Sequence, residues 1–309
     1  MIEVKDLHKE FRGGRGLKGF SLEIEAGELV GLVGPNGAGK TTLIRILSTL
    51  QPADSGSATV ASFDVSGKPA SVRAAVGYLP DVPGVYQDTR VDEFLEFFAD
   101  AFRLKEPRRT AAIERALERS GLEDRKQDFV EQLSLGWKQR LLLAKTLMHD
   151  PKILLLDEPA TGLDPLARMA LREELKQLHA GGITILVSSH ILADLEDICT
   201  RVVFIADGAN VSEAECSMRR GAVAPATLRC QVEFEGPASA ADAVIGRIAD
   251  ARVLERKGGR LVIELQGGAK DASAFLGELL VAGVTVIHFD ARGPGLEERY
   301  RRTFEERPS

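Results

Sequence analysis

The sequence predicts an α/β domain built on a parallel sheet, followed by a smaller α+β domain. Two apolar runs, Ile153–Leu156 and Ile183–Val187, are continuous rather than alternating, as suits strands buried on both faces of a parallel sheet. Between them, LARMALREELKQLHAGG reads as a helix, with Leu171, Leu175 and Leu178 on one face and Gly181–Gly182 as its stop. The texture shifts after about Arg220, where GAVAPA (residues 221–226) reads as a linker. A chain of 309 residues has the length for two such domains.

Along the chain, MIEVKDL, GFSLEIEAG and ELVGLVG read as strands, with turns at Gly13–Gly14 and Ala26–Gly27. From Val91 to His149 the texture is helical. VDEFLEFFADAF places Val91, Leu95 and Phe98 on one face, and RRTAAIERALERSGL places Ile113, Ala116 and Leu117 together before Gly121 stops it. Another helix is predicted over Trp137–His149. Beyond the linker, strand Thr227–Glu233, helix Ser239–Asp250, strands Arg252–Arg256 and Arg260–Leu265, helix Ala272–Ala282 and strand Val284–Asp290 follow, with a final helix Leu296–Glu305. The first six make a βαββαβ order, the ferredoxin-like pattern.

Composition narrows the function. At 44 % apolar and 28 % charged the chain reads as a soluble globular protein. Forty basic against 46 acidic residues leave a net charge of −6, so no global field draws in nucleic acid or an anionic membrane. Any polyanion must be held by a local site. No apolar run nears the ~18 residues of a spanning helix, and MIEVKDLHKEF is charged where a signal peptide is apolar. The three cysteines, Cys199, Cys216 and Cys230, show no CxxC spacing and indicate neither a disulfide framework nor a zinc site. A cytoplasmic protein is expected.

One local site stands out. Gly34-Pro35-Asn36-Gly37-Ala38-Gly39-Lys40-Thr41 fits GxxxxGK[ST], directly after a strand and before the helix pattern that opens at Thr42. Glycines there let successive backbone N–H groups curl round phosphate oxygens, and the helix start adds the positive end of its dipole. Lys40 would neutralise the β- and γ-phosphates, and Thr41 would ligate Mg²⁺. Hydrolysis also needs a metal holder and a group that orients water. Ile153–Leu156 runs into Asp157-Glu158-Pro159, at the edge of a parallel sheet where ligands bind. Asp157 would hold the Mg²⁺ shell and Glu158 would polarise the attacking water.

With these motifs the sequence resembles the nucleotide-binding subunits of ATP-binding-cassette (ABC) transporters, in the drug- and antibiotic-export branch, over about residues 1–220. GPNGAGKTT is similar to the Walker A loop, ILLLDEP to the Walker B strand, LSLGWKQR (Leu133–Arg140) to the LSGGQ signature, TGLD (Thr161–Asp164) to the D-loop and His190 to the switch histidine. PGVYQDTRVDEFLEFFA resembles the segment entering the helical subdomain. The resemblance implies a P-loop cassette: a RecA-like core sheet, an antiparallel β subdomain and a helical subdomain over about 87–150, with residues 227–309 as an accessory domain. It implies ATP and Mg²⁺ as ligands, a second cassette as dimer partner, and an integral-membrane permease that would hold the chain at the inner face of the membrane. No nucleic-acid partner is expected.

It also implies residue roles. Ser134 and Gly136 would present a helix start to the γ-phosphate bound by a second subunit, Asp164 would stand at that interface, and His190 would touch the γ-phosphate. Phe11, 23 residues before Gly34, would stack on adenine. Trp137, the single tryptophan, would face open solvent in a free monomer. Two departures stand out. Leu135 and Trp137 replace the glycine and glutamine of the signature, and Asp81 replaces the Q-loop glutamine near the metal. An alternative within the family is a soluble ATPase acting in translation or on nucleic acid. The 117-residue spacing from Lys40 to Asp157 leaves room for a helical subdomain and not a long coiled coil, and the chain carries one cassette.

Overall fold

In the first unit, some strands are partly exposed and others are buried along their length, and that difference sorts them into two sheets. Strands β1 (Ile2–Phe11) and β2 (Arg15–Ile24) form an antiparallel hairpin across the Gly13–Gly14 turn. With β4 (Ser55–Val60) and β5 (Phe63–Asp64) they make a sheet in the order β2-β1-β4-β5. Strands β3 (Leu29–Val33), β7 (Ile153–Asp157) and β8 (Thr184–Ser189) are buried at every residue. They lie at the centre of a second sheet, ordered β10-β9-β3-β8-β7-β6, with β6 at Val76–Leu79, β9 at Arg201–Ala206 and β10 at Ala209–Asn210. Its pairs from β9 to β6 are parallel, and β10 turns back antiparallel on β9.

The protein is described by a computed structural model covering residues 1–82, 84, 88–196, 198–211, 227–235, 238–248 and 251–293. The chain divides into two units, Met1–Arg219 and Arg220–Ser309. The linker at 221–226, the helix expected over Leu296–Glu305 and part of the segment entering the helical region lie outside the described residues.

In the first unit, helix α1 (Lys40–Leu47) joins the two sheets. Leu43 and Leu47 share one core with Phe20 and Leu22 of β2 and Leu155 of β7. The short α2 (Pro69–Ala75) leads into β6. Helix α3 (Val91–Ala101) buries Val91, Phe94, Leu95 and Ala99, with Phe98 half-buried and its ring 4.9 Å from that of Phe94. Helix α4 (Arg108–Ser120) buries Ala112, Ala116 and Leu117, and Gly121 ends it in the left-handed conformation. Helix α5 (Leu135–Leu147) starts two residues before the expected Trp137, because Ser134 takes the extended N-cap conformation. Helix α6 (Pro165–Ala180) buries Leu171, Leu175 and Leu178, and the short α7 (Ala193–Glu196) precedes β9.

In the second unit the elements run β11 (Thr227–Glu235), α8 (Ala238–Ile245), β12 (Ala251–Lys257), β13 (Arg260–Gln266), α9 (Ala269–Val281) and β14 (Thr285–Arg292). The sheet order is β12-β13-β11-β14 with every pair antiparallel. Phe234, Ile263, Phe275 and Leu279 lie in its core. Helix α8 stops at Ile245, short of the expected Asp250, where the chain turns at Gly246 and Arg247. Cys199 and Cys230 are free and buried.

Candidate active site

The glycine-rich loop lies between β3 and α1, and close packing dictates its composition. A Cβ on Gly34 would stand 2.2 Å from the Ile205 carbonyl oxygen. Gly39 has φ +111°, and a Cβ there would meet the Gly16 carbonyl oxygen at 3.0 Å. Larger residues would push the loop off β2 and β9. Lys40 is buried and donates to the carbonyls of Gly34 (2.6 Å) and Pro35 (3.3 Å), so its ammonium lies inside the loop it would share with phosphates.

Two carboxylates meet this loop from the end of β7. Asp157 is fully buried, and its Oδ1 accepts from the Ser188 hydroxyl at 2.7 Å. Burial raises its pKa, the negative charges of Asp81 and Glu158 add to that, and hydrogen bonding by Ser188 and Thr41 opposes it. Its Oδ2 is buried without a hydrogen-bond partner. Glu158 leaves the strand with φ +50°, a left-handed conformation that costs a non-glycine residue about 1 kcal/mol or more. Its backbone N–H donates to the Ser188 hydroxyl at 2.9 Å. That turn aims the Glu158 carboxylate back across the loop, with Oε1 3.4 Å from Lys40 Nζ and Oε2 2.6 Å from His190 Nδ1. The backbone N–H of His190 also donates to Oε2, at 3.3 Å.

Lys40, Glu158 and His190 border one cavity of about 600 Å³, and Gly34, Pro35 and the buried Asp157 lie outside its lining. Its lining includes Phe11, Asn36, Gly37, Ala38, Gly39, Lys40, Thr41, Thr42, Asp81, Glu158 and His190. Phe11 is 42 % exposed rather than packed in the core, with Lys9 Nζ 5.9 Å from its ring centre. The donor set suits a hard divalent cation: an orphaned, buried carboxylate oxygen on Asp157, the Thr41 hydroxyl and Asp81. Among the described residues no cluster of three or more His, Cys, Asp or Glu forms a metal cage, so such a cation would need phosphate oxygens to complete its shell.

Ser134, Gly136 and Asp164 do not line this cavity. They form a second locus, where the starts of α5 and α6 meet. A Cβ on Gly136 would lie 3.2 Å from Ala167 Cβ, and one on Gly162 would lie 3.0 Å from Leu135 Cδ2. Asp164 caps α6, accepting from the Ala167 N–H at 2.9 Å, and Pro165 takes the first turn. Ser134 caps α5 more loosely, with its hydroxyl 3.5 Å from the Trp137 nitrogen. Trp137 departs from expectation: it is half-buried, with the Arg140 guanidinium 5.0 Å and that of Arg125 5.9 Å from its ring. Arg140 lies one helical turn on and Arg125 on a neighbouring 3-10 turn, so the indole is partly packed within the subunit and not fully open to solvent.

Sequence reasoning missed Ser188, which holds both Asp157 and the Glu158 backbone, and Thr161, whose hydroxyl lies 3.4 Å from Glu158 Oε2. A serine at the end of the strand beside Asp157 was the available signal. It also missed the arginines Arg12, Arg15 and Arg45 along the cavity wall.

Known proteins place these features in one family. The model of a family described as ABC transporter matches residues 17–161. The Nod factor export ATP-binding protein I of Burkholderia lata is 37 % identical, over 69 % of this chain and 70 % of that protein. The linearmycin resistance ATP-binding protein LnrL of Bacillus subtilis is 34 % identical, over 67 % of each. A solved ATP-binding subunit of an ABC transporter superposes with a TM-score of 0.62 at 32 % identity, covering 69 % of this chain and 88 % of that one. A dimeric bacterial ABC transporter cassette does so at 26 % identity, also with a TM-score of 0.62, covering 69 % and 97 %.

Proposed function

This chain belongs to the ABC transporter family as an ATP-binding subunit with ATPase activity, and from that premise we propose that it is the motor of an exporter whose membrane helices lie on a separate permease. The observation that carries the reading is the convergence of Lys40, Glu158 and His190 within 3.4 Å contacts beside the phosphate loop. The names of the two relatives, export of Nod factor and resistance to linearmycin, favour export over a role in translation or on nucleic acid. Among the described residues no helix is long and apolar enough to cross a membrane, which suits a subunit held at the inner face through its permease.

The geometry suggests how the site would work. Lys40 now bonds to loop carbonyls and Glu158, and would exchange these for β- and γ-phosphate oxygens when ATP enters. That exchange frees Glu158 to accept a proton from the attacking water, while His190 holds its far oxygen. Phe11 would stack on adenine, and Asn36 to Thr42 would wrap the phosphates. Bound Mg²⁺ would neutralise phosphate charge and would be held by Thr41 and Asp157, with Asp81 near its shell. Ser134, Gly136 and Asp164 have no such site in their own subunit, and would close on the nucleotide of a second cassette. Residues 1–220 would be the nucleotide-binding domain, 221–226 the linker and 227–309 an accessory domain.

Affinity purification from gently solubilised membranes tests this reading. An integral-membrane protein should co-elute in stoichiometric amount and raise ATP turnover when reconstituted. Recovery bound to ribosomes or nucleic acid, with no membrane protein, would overturn it.

A further inference from the structure

The cavity's charged lining falls into two groups. Asp81 and Glu158, with Asp157 behind them, share their part of the wall with the cations Lys40 and Arg45, whereas Phe11 is accompanied by Arg12 and Arg15. These two arginines flank the Gly13–Gly14 turn of the β1–β2 hairpin, and both side chains are exposed. Lys9, the cation of the hairpin before Arg12, is held by Asp54 at 2.6 Å. The side chains of Arg12 and Arg15 have neither an ion pair nor a hydrogen bond among the described residues.

Their position relative to the phosphate loop is fixed by backbone contacts. The Gly16 carbonyl presses on Gly39, and the Lys18 N–H donates to the Gly208 carbonyl at 2.8 Å. The Gly208 N–H in turn donates to the Ala38 carbonyl at 3.0 Å. The start of β2 is therefore braced against the loop, with Arg15 one residue outside the brace.

We propose that Arg12 and Arg15 form a basic rim that binds the α- and β-phosphates shared by nucleoside di- and triphosphates. The proposal rests on the nucleotide reading of this cavity. A guanidinium offers a planar fork that matches phosphate oxygens, and two such forks without acid partners face a site for a polyanion. The hairpin carries Phe11, so the phosphates nearest the ribose come within its reach, while the γ-phosphate lies towards Lys40, Glu158 and His190. Contacts shared by substrate and product are uniform binding, which lowers KM without raising kcat. The rim therefore slows release of ADP as well as of ATP. Because both arginines are exposed, the effect weakens with salt.

The test is calorimetric titration of the full chain with ADP, with tripolyphosphate, and with ATP in the Glu158→Gln background. The variants are Arg12→Gln, Arg15→Gln, the pair, and Arg15→Lys. The double variant should weaken all three ligands by about tenfold at low salt, which is about 1.4 kcal/mol. The loss should be equal for ADP and ATP and should shrink at high salt. Arg15→Lys should recover part of the affinity, and KM for ATP should rise while kcat does not fall. The nucleotide-free melting temperature should not move. Loss of ATP affinity with ADP unaffected would assign the arginines to the γ-phosphate, and unchanged tripolyphosphate binding would assign them to the base. Either result, or unchanged affinity throughout, overturns the rim. Wild-type protein that binds neither nucleotide would instead remove the nucleotide reading itself.

Discussion

The catalytic edge and the α5–α6 locus are both built at element ends, yet they differ in how complete they are. At the end of β7, Asp157, Glu158, Ser188 and His190 are interlocked by bonds of 2.6–2.9 Å, and Lys40 closes the set from the loop. At the starts of α5 and α6 stand exposed caps, one of them holding its N–H group at 3.5 Å. The difference teaches that the first region is preorganised for chemistry within one subunit. The second has one firmly and one loosely capped helix start and does not line the cavity. An anion brought by another subunit would find unspent donors there.

The sharpest way to break this comparison is Glu158→Gln. A positioned base contributes about 10²–10⁴ in rate, or roughly 3–5 kcal/mol of barrier. Turnover should fall by that factor while ATP affinity holds, and an ATP-bound dimer should accumulate in size-exclusion runs. Turnover at the wild-type rate would remove Glu158 from the mechanism.

A second variant probes a group outside both regions. Lys145 lies half-buried with Nζ 4.6 Å from the Phe98 ring centre, in an apolar cleft of about 210 Å³ with Leu50, Phe102 and His149. Burial pushes its ammonium down from 10.5 to about 8. Between those values the unfolded chain holds a proton that the folded chain has released. Stability therefore rises with pH across that window, and the full cost of burying the charge is felt below it. Lys145→Met should stabilise the protein at pH 7 by on the order of 2 kcal/mol, with the gain fading above the unfolded value. Denaturant melts at several pH values measure this, and a gain independent of pH would contradict it. ATP affinity should not change.

Ser134→Ala tests the α5–α6 locus directly. The loose cap predicts little loss of fold stability, under about 0.5 kcal/mol. Loss of a hydrogen bond to a charged phosphate is worth about 1.5 kcal/mol, so turnover should drop roughly tenfold while the monomer's ATP affinity stays. Equal loss of stability and turnover would reduce Ser134 to a helix cap.

The smallest effect is expected at Asp81, whose charge would face a bound polyanion and raises the pKa of Asp157. Asp81→Gln should leave turnover equal or higher, and Asp81→Ala should lower it about two- to threefold, within the range of a screened surface charge. Complete loss in Asp81→Gln would show the carboxylate itself to be a required ligand.

Much of the catalytic edge was legible in the sequence because it is local. GxxxxGK[ST] between a strand and a helix, and acids closing a continuous apolar run, are contiguous patterns with one physical use. The face of α6 was legible for the same reason: Leu171, Leu175 and Leu178 repeat at helical spacing and are buried, whereas on α4 Ala112 joins Ala116 and Leu117 in the core and the expected Ile113 is half-buried. Helix boundaries were less so. Ser134 shifted the start of α5 by its backbone conformation, which residue type alone favours but does not impose.

What the sequence by itself determined is therefore β1–β3, β7, β8, α1, α3–α6, the elements of the second unit, the phosphate loop and the identity of the acids, since each depends on neighbours within a few residues, whereas β4–β6, β9, β10, α2 and α7 gave no such signal. Tertiary structure alone decided the rest. Glu158 faces Lys40 and His190 because parallel pairing sets β7 beside β8 and a left-handed turn redirects the side chain. Trp137 is partly packed because Arg125 and Arg140 converge on it from two elements. Arg12 and Arg15 reach the cavity because Gly16 and Gly208 brace the hairpin on the loop. Apart from the Trp137–Arg140 pair, such contacts join residues far apart in the chain, and a single sequence carries no local signal of where the fold will bring them.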